Sequence, residues 1–445
     1  MWRYKLLNLM IMDKKKFITV VTAGFALFAM FFGAGNLVIP PYIGLKIGAL
    51  SGVAFAGFFV SDILLSFLAV VMVASIGLTF TDLGKRFPPL FVNALVFIII
   101  VTLGPLICVP RTGSTTYEVA VQPFFPQIDK ITFGVFYFGI TLLLSISKAK
   151  IVDIIGKILT PFLILSLTIL IVVGTINAPK ELADNGYTFR EAFAFGFSKG
   201  YLTLDVLAGV IFSGLIISSI VREGYQREAD KKQVTILSGI ISAGCLVFIY
   251  GGLLYLGATS NLSPSEEGVS YIDILKHIAY NVLGSNGGIV ISVAVAFACL
   301  TSAIAIVSAM GEIFENISKG RIPYKWGVWI CSIVSFVLSI QSVEEIIHYA
   351  GYLLDFSYPI TIALTLFVLF FGKQVKSNTP YIVGVTLTAV LSGLFIIGDL
   401  QNIEWIIKFR TLLPLSSYKI EWFLPAFLSF VITTVIIRIQ SFPKN

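Results

Sequence analysis

The chain is a near-unbroken succession of apolar stretches, each about long enough to carry a helix across a bilayer. No other feature narrows its possible folds so far. A spanning helix needs about 20 predominantly apolar residues. Reading by that rule predicts twelve spans, near 17–47, 49–78, 89–112, 131–147, 151–176, 199–221, 232–258, 287–315, 324–340, 348–371, 379–397 and 420–438. The runs are continuous rather than alternating, which excludes a transmembrane barrel. Charged residues make up 12% of the chain, hydrophobic residues 57%, and the mean hydropathy is +0.94, whereas soluble domains carry about 25% charged residues. So few charges cannot coat a soluble protein of 445 residues, and lipid is the main solvent. A cytosolic enzyme, a secreted disulfide scaffold and a nucleic-acid binder are excluded. Cys108, Cys245, Cys299 and Cys331 all fall within apolar runs, with no CxxC or Cys/His pairing, so they read as small packing residues.

An even number of spans puts both termini on one side, and the basic residues choose which. With the N-terminus cytoplasmic, most of the 31 basic residues fall in cytoplasmic segments, among them Lys14, Lys15, Lys16, Lys85, Arg86, Lys231, Lys232, Lys319 and Arg321. Several acids, including Glu181, Asp184, Glu266 and Glu267, fall outside. That bias follows the positive-inside rule. The start, MWRYKLLNLMIMDKKK, does not read as a cleavable signal, because the following apolar run is far too long. Met12 is an alternative start.

Two spans are interrupted. The first contains Gly33-Ala34-Gly35-Asn36 and then Pro40-Pro41; the sixth contains Thr203 and Asp205, flanked by Gly200 and Gly209. Breaking a helix in hydrocarbon frees N–H and C=O groups that lipid cannot bond, so breaks survive where protein or ligand satisfies them. Breaks in spans one and six suggest corresponding positions in two five-helix halves, the pattern of an inverted-repeat transporter with its site at the breaks.

At these residues the chain resembles the bacterial branched-chain amino acid:cation symporter family, within the amino acid/polyamine/cation superfamily. The resemblance rests on FALFAMFFGAGNLVIPPYIG, GPLICVPRTGSTTYEVAV and KGYLTLDVLAG. It implies uptake of Leu, Ile and Val driven by Na+ or H+, on an all-α five-plus-five inverted repeat with two extra C-terminal helices. The corresponding division is a cytoplasmic segment 1–16, repeats 17–178 and 179–373, and a C-terminal helix pair with tail, 374–445.

A zwitterionic amino acid in mid-membrane needs donors for its carboxylate, acceptors for its ammonium and apolar walls. Unwinding span one would expose N–H groups at Ala34 and Gly35, at the positive end of a half-helix, for the carboxylate. The bland alternative is a small-residue helix contact. Asn36, Tyr201, Thr203, Leu204 and Asp205 complete the expected substrate site. Asp205 could take the ammonium, or carry a coupling proton; the competing reading is a structural partner for freed N–H groups. Phe31, Phe32, Cys108 and Leu300 are further wall candidates.

Ala298, Thr301 and Ser302 share one helix face at i, i+3 and i+4, and offer two hydroxyls and a carbonyl to a cation. The resemblance implies that this face meets carbonyls of the broken first helix, here Ala29 and Phe32, as a Na+ site. Hydroxyls bonded to carbonyls of their own helix are the ordinary alternative. Asn36 with Thr203 is a weaker second cation position. Intramembrane Asp62 and Asp355 read as helix-packing or cavity-facing groups, and Arg111 as a snorkelling residue at the outer end of span three, with a contribution to a gate as the alternative.

The expected function is secondary active import of branched-chain amino acids coupled to Na+, in a bacterial cytoplasmic membrane, without organic cofactor or enzymatic activity. Proton-coupled transport of another neutral amino acid, or a non-transporting sensor, are the alternatives. A channel is disfavoured by the lack of a repeated filter or charge rings, an ATP-driven pump by the lack of GxxxxGK[ST].

Overall fold

The computed structural model describes residues 13–77, 87–147, 160–178, 182–260, 262, 270–284 and 287–440. Those residues form helices. The first span is two of them, α1 (Lys14–Phe31) and α2 (Ala34–Ile47), meeting at 71°. Then follow α3 (Ser51–Ile76), α4 (Pro89–Val121), α5 (Lys130–Ser145) and α6 (Thr160–Ile176). The sixth span is α7 (Phe189–Gly200) and α8 (Asp205–Arg222). The remainder are α9 (Glu228–Ala258), α10 (Tyr271–Leu283), α11 (Gly287–Ile317), α12 (Tyr324–Leu338), α13 (Val343–Phe371), α14 (Thr379–Leu400), α15 (Glu404–Leu412) and α16 (Phe423–Gln440). With α1–α2 and α7–α8 each counted as one span, and α10 and α15 too short to cross, these helices make the twelve spans of a five-plus-five repeat with two C-terminal helices. The broken span of each half packs on the second span of the other: α1 and α2 on α9, α7 and α8 on α3.

Several boundaries differ from the hydropathy reading. Span three runs to Val121 rather than 112, because the polar stretch Arg111–Thr116 is buried among neighbouring helices and does not face lipid. Span six begins at Phe189 rather than 199. A capping box fixes that start: the Thr188 hydroxyl accepts from Glu191 N, and the Glu191 carboxylate accepts from Thr188 N at 2.9 Å. A second capping box, Ser342 with Glu345, starts α13 earlier than position 348. Asp129 caps α5 through Thr132 N at 2.9 Å, and hydrogen bonds from Thr132 hold its carboxyl below the usual carboxylate range. Residues 151–159 of span five lie outside the described residues.

Glycines permit the closest approaches. A Cβ at Gly44 would lie 1.9 Å from the Leu254 carbonyl oxygen, and one at Gly257 2.0 Å from the Pro41 carbonyl oxygen. On the other broken span, a Cβ at Gly57 would meet Phe193 O at 2.1 Å, and one at Gly196 Ala54 O at 1.9 Å. Backbone therefore packs on backbone where α2 crosses α9 and where α7 crosses α3, as small residues allow in membrane helices. Asn185 caps the end of α2 by donating to Leu45 O and Lys46 O at 3.1 and 3.0 Å. We expect Gly44→Ala to destabilise the protein by about 2 kcal/mol, the order of an overpacked contact. A lowered midpoint in detergent thermal unfolding checks this, with Gly52→Ala, which meets nothing within 4 Å, as control.

Candidate functional site

The two breaks differ in backbone geometry. In span one, Phe32 N still donates to Phe28 O at 2.8 Å, then Phe32 (ψ 87°) and Gly33 (φ −114°, ψ −163°) run extended before α2 starts. No side chain caps α2, so the first-turn N–H groups of Ala34, Gly35 and Asn36 lack the intrahelical acceptors that later residues have. Pro40 and Pro41 lie inside α2 rather than at the break; lacking N–H, they cannot close the ring onto the Asn36 and Leu37 carbonyls. In span six a short 3-10 turn, Tyr201–Thr203, leads to Leu204 in the left-handed region (φ 75°, ψ 6°). That conformation is costly for a branched residue. It lets α8 restart at once, with Ala208 N donating to Leu204 O at 3.0 Å.

Side chains join the breaks. Asn36 Nδ2 donates to Asp205 Oδ2 at 2.8 Å and also to the Tyr250 hydroxyl. Tyr250, on α9, donates in turn to the same Asp205 oxygen at 3.0 Å. The Thr203 hydroxyl lies 2.5 Å from Asp62 Oδ1 and 2.6 Å from the Gly200 carbonyl. Asp62 sits in a π-helical turn of α3 (Phe59–Leu64); the wider turn re-aims its side chain. Its second carboxyl oxygen is buried without a partner. Tyr358 of α13 accepts from Val206 N at 3.3 Å and packs its ring 4.9 Å from Tyr201. Tyr201 also lines a cavity with Asp355, Ser392, Glu421 and Trp422, and its buried hydroxyl has no hydrogen-bond partner.

The expected substrate residues Ala34, Gly35, Asn36, Tyr201, Thr203, Leu204 and Asp205 thus collect at the two breaks. Asp62 belongs to the same network, whereas Asp355 pairs with Lys419 at 3.9 Å and meets the span-six break only through the cavity it shares with Tyr201. Arg111 overturns its reading as a snorkelling residue. It is 1% exposed, donates from Nη1 to Leu202 O at 2.9 Å, and lays its guanidinium against Gly35, where a Cβ would sit 2.4 Å from Nη2. Of the expected walls, Phe31, Phe32, Cys108 and Leu204 are buried and Leu300 half-buried. Phe32 stacks on Tyr250 with ring centres 5.7 Å apart.

A second cluster lies where α11 crosses the end of α1. Thr301 Oγ donates to Ala29 O and Ala298 O, both at 2.9 Å; Ser302 Oγ lies 2.9 Å from Met30 O and 3.4 Å from Ala29 O. Ala29, Ala298, Thr301 and Ser302 therefore meet as expected. The Phe32 carbonyl accepts from neither hydroxyl, and Met30 stands in that place. Gly33 leaves the room: a Cβ there would lie 3.0 Å from Ser302 Oγ.

Tyr250, Asp62, Arg111 and Met30 were not singled out from the sequence as site residues. The π-helical turns that aim Asp62 and precede Arg111 (Thr102–Cys108) carry no apolar periodicity to read. The one available signal was Gly104-Pro105 inside an apolar run.

Two broken spans joined to each other inside a polytopic helical bundle are the architecture of inverted-repeat membrane transporters. Two solved structures share the architecture. One is MHP1, a nucleobase-cation-symport-1 family transporter in a closed conformation, at TM-score 0.59 and 13% identity over 93% of each chain. The other is the Eremococcus coleocola manganese transporter, at 0.53 and 15% over 94% of each. At that identity they establish the fold alone. Residues 15–440 match the family described as branched-chain amino acid transport protein, and the chain belongs to it. The branched-chain amino acid permease BraB of Bacillus subtilis is 30% identical over 94% of this chain and 95% of its own. A protein of Staphylococcus saprophyticus, named as a branched-chain amino acid carrier, is 32% identical over 93% and 94%. We expect Tyr250→Phe to leave one donor fewer on buried Asp205 and to cost about 1–3 kcal/mol, read as a lowered thermal midpoint with leucine uptake reduced.

Proposed function

We propose that this carrier is a Na+-coupled importer of Leu, Ile and Val, rocking about a fixed site at the breaks of spans one and six, with both termini cytoplasmic. What carries the coupling ion in this reading is the oxygen cluster of Ala29, Met30, Ala298, Thr301 and Ser302. It unites two helices of different halves through neutral oxygens. Hard cations take oxygen ligands, and a cluster without carboxylates suits a singly charged ion. Each hydroxyl now donates a proton to a carbonyl; a bound cation would draw lone pairs of both inward instead. The ion would then fix the end of α1 and so shape the adjoining break. The branched side chain would lie among apolar groups such as Phe31, Phe32 and Leu204, all buried at the breaks.

The alternative coupling ion is a proton. What favours it is a pair of buried carboxyls at the span-six break, Asp62 bonded to the Thr203 hydroxyl and Asp205 bonded to Asn36 and Tyr250. Leucine uptake into proteoliposomes, with choline replacing Na+ at fixed pH, separates the two. Sodium coupling predicts loss of uptake, and Thr301→Ala should raise the Na+ concentration for half-maximal uptake by about 10-fold or more, the worth of one well-placed ligand. Uptake that ignores Na+, follows an imposed pH gradient and fails in Asp62→Asn would replace sodium with the proton.

A further inference from the structure

Arg111 raises a separate question, because a buried guanidinium needs anionic or multiple neutral partners to offset its desolvation. It forms no ion pair with any described carboxylate. Its Nη1 is spent on Leu202 O, in the span-six break, and its Nε is buried without a partner. The Cys108 thiol beside it is a weak acceptor. Asp205, the nearest acid by chain position to Leu202, accepts instead from Asn36 and Tyr250. On its other side the guanidinium lies on Gly35, in the first turn of α2, which presents unpaired N–H groups and the positive end of the helix dipole. A charged fork and a helix N-terminus, both positive, face one another, and the carboxyl of Asp205, whose charge reaches Arg111, hydrogen-bonds Asn36 and Tyr250 rather than either of them. A free N–H on the fork and an uncapped first turn make the same demand independently: a planar anion with two oxygens.

We infer that Arg111 is the carboxylate anchor of the carrier, and hence the residue that selects α-amino acids over amines and amides of the same skeleton. This rests on the reading of the chain as an amino acid carrier and adds the group that recognises the acid. The carboxylate bridges the Nε edge of the guanidinium and the Ala34–Asn36 N–H groups, the side-on, two-point pairing that arginine favours. Gly35 is required because any side chain there would take the guanidinium's place. Through Leu202 the same arginine touches the other break, so substrate acid, span one and span six meet on one side chain. Its role differs from that of Asp205, which accepts from Asn36 and Tyr250.

The test is competition against radiolabelled leucine bound to the intact purified protein in Na+ buffer, using leucine and leucinamide, which differ at the acid alone. The wild type should prefer leucine by about 100-fold, the order of a buried charge pair lost. Arg111→Lys keeps the charge without the fork and should cut that preference to about 10-fold; Arg111→Gln should bring it within about 3-fold, by weakening leucine rather than by strengthening leucinamide. A purely structural arginine would weaken both ligands alike and leave the ratio near 100-fold in Arg111→Lys, which overturns the proposal. Wild-type protein that binds leucinamide as well as leucine overturns it without any variant. Wild-type protein that binds leucine with no effect of Arg111→Gln shows that the carrier reading holds and the anchor does not. A wild type that binds no leucine overturns the carrier reading beneath both.

Discussion

Peptide groups freed inside hydrocarbon must find partners within the protein, and the two broken spans are where this constraint bears hardest. Neither break is closed by its own helix. The span-six carbonyl of Leu202 is satisfied from span three by Arg111. Val206 N is satisfied from span ten by Tyr358, and the side chain of Asn36 in span one reaches Asp205 in span six. The α1 carbonyls of Ala29 and Met30 are met by hydroxyls from α11. Each break is thus held by other spans, and movement of any one alters the hydrogen bonding of the rest. Mechanical coupling between the halves follows from this shared bonding.

The glycine contacts decide which pieces move together. Gly44 and Gly257 bring α2 backbone to backbone with α9, and Gly57 and Gly196 do the same for α7 and α3. Contacts that tight resist sliding, because a shift of an ångström forces atoms into overlap. The broken spans therefore travel with the second span of the opposite half as packed units. Tyr250 and Asp62, which reach the breaks, stand on those same units, on α9 and α3. The hydroxyls of α11 and the guanidinium of α4 come from outside them. In the rocking cycle proposed above, the bonds of Thr301, Ser302 and Arg111 are those that would change; the Asp62–Thr203 link would stay within one unit, and the Tyr250–Asp205 link joins the two units to each other.

Much of this was legible in the sequence, for a physical reason that also explains the misses. Transfer into lipid reads as hydropathy, so long apolar runs located the spans, and glycines with polar residues inside two of them located the breaks. The i, i+3, i+4 spacing put Ala298, Thr301 and Ser302 on one face, and that face does meet Ala29. Hydropathy does not distinguish a polar residue leaving the membrane from one buried in protein. Hydropathy therefore ends span three near 112, although Arg111–Thr116 is buried within the protein. The same blindness hid α7, whose Arg190, Glu191 and Lys199 lower its apolar score. Tyr250 gave no signal, because an aromatic in an apolar helix is ordinary until Asn36, more than two hundred residues earlier, is known to face it. The π-helical turns depend on a local extra residue that alters no composition.

The proposed ion and substrate sites then connect without direct contact between them. Phe31 ends α1 and Ala34 starts α2, so only the link of Phe31, Phe32 and Gly33 separates the carbonyls facing α11 from the first turn of α2, where Gly35 packs on Arg111. An ion that draws Ala29 and Met30 toward α11 therefore sets the direction in which the α2 N-terminus points. A carboxylate held at that N-terminus fixes the same link from the other side. Each ligand completes the geometry that the other needs, and mutual stabilisation of this kind is what thermodynamic coupling requires: by reciprocity, whatever affinity the ion lends the amino acid, the amino acid returns to the ion.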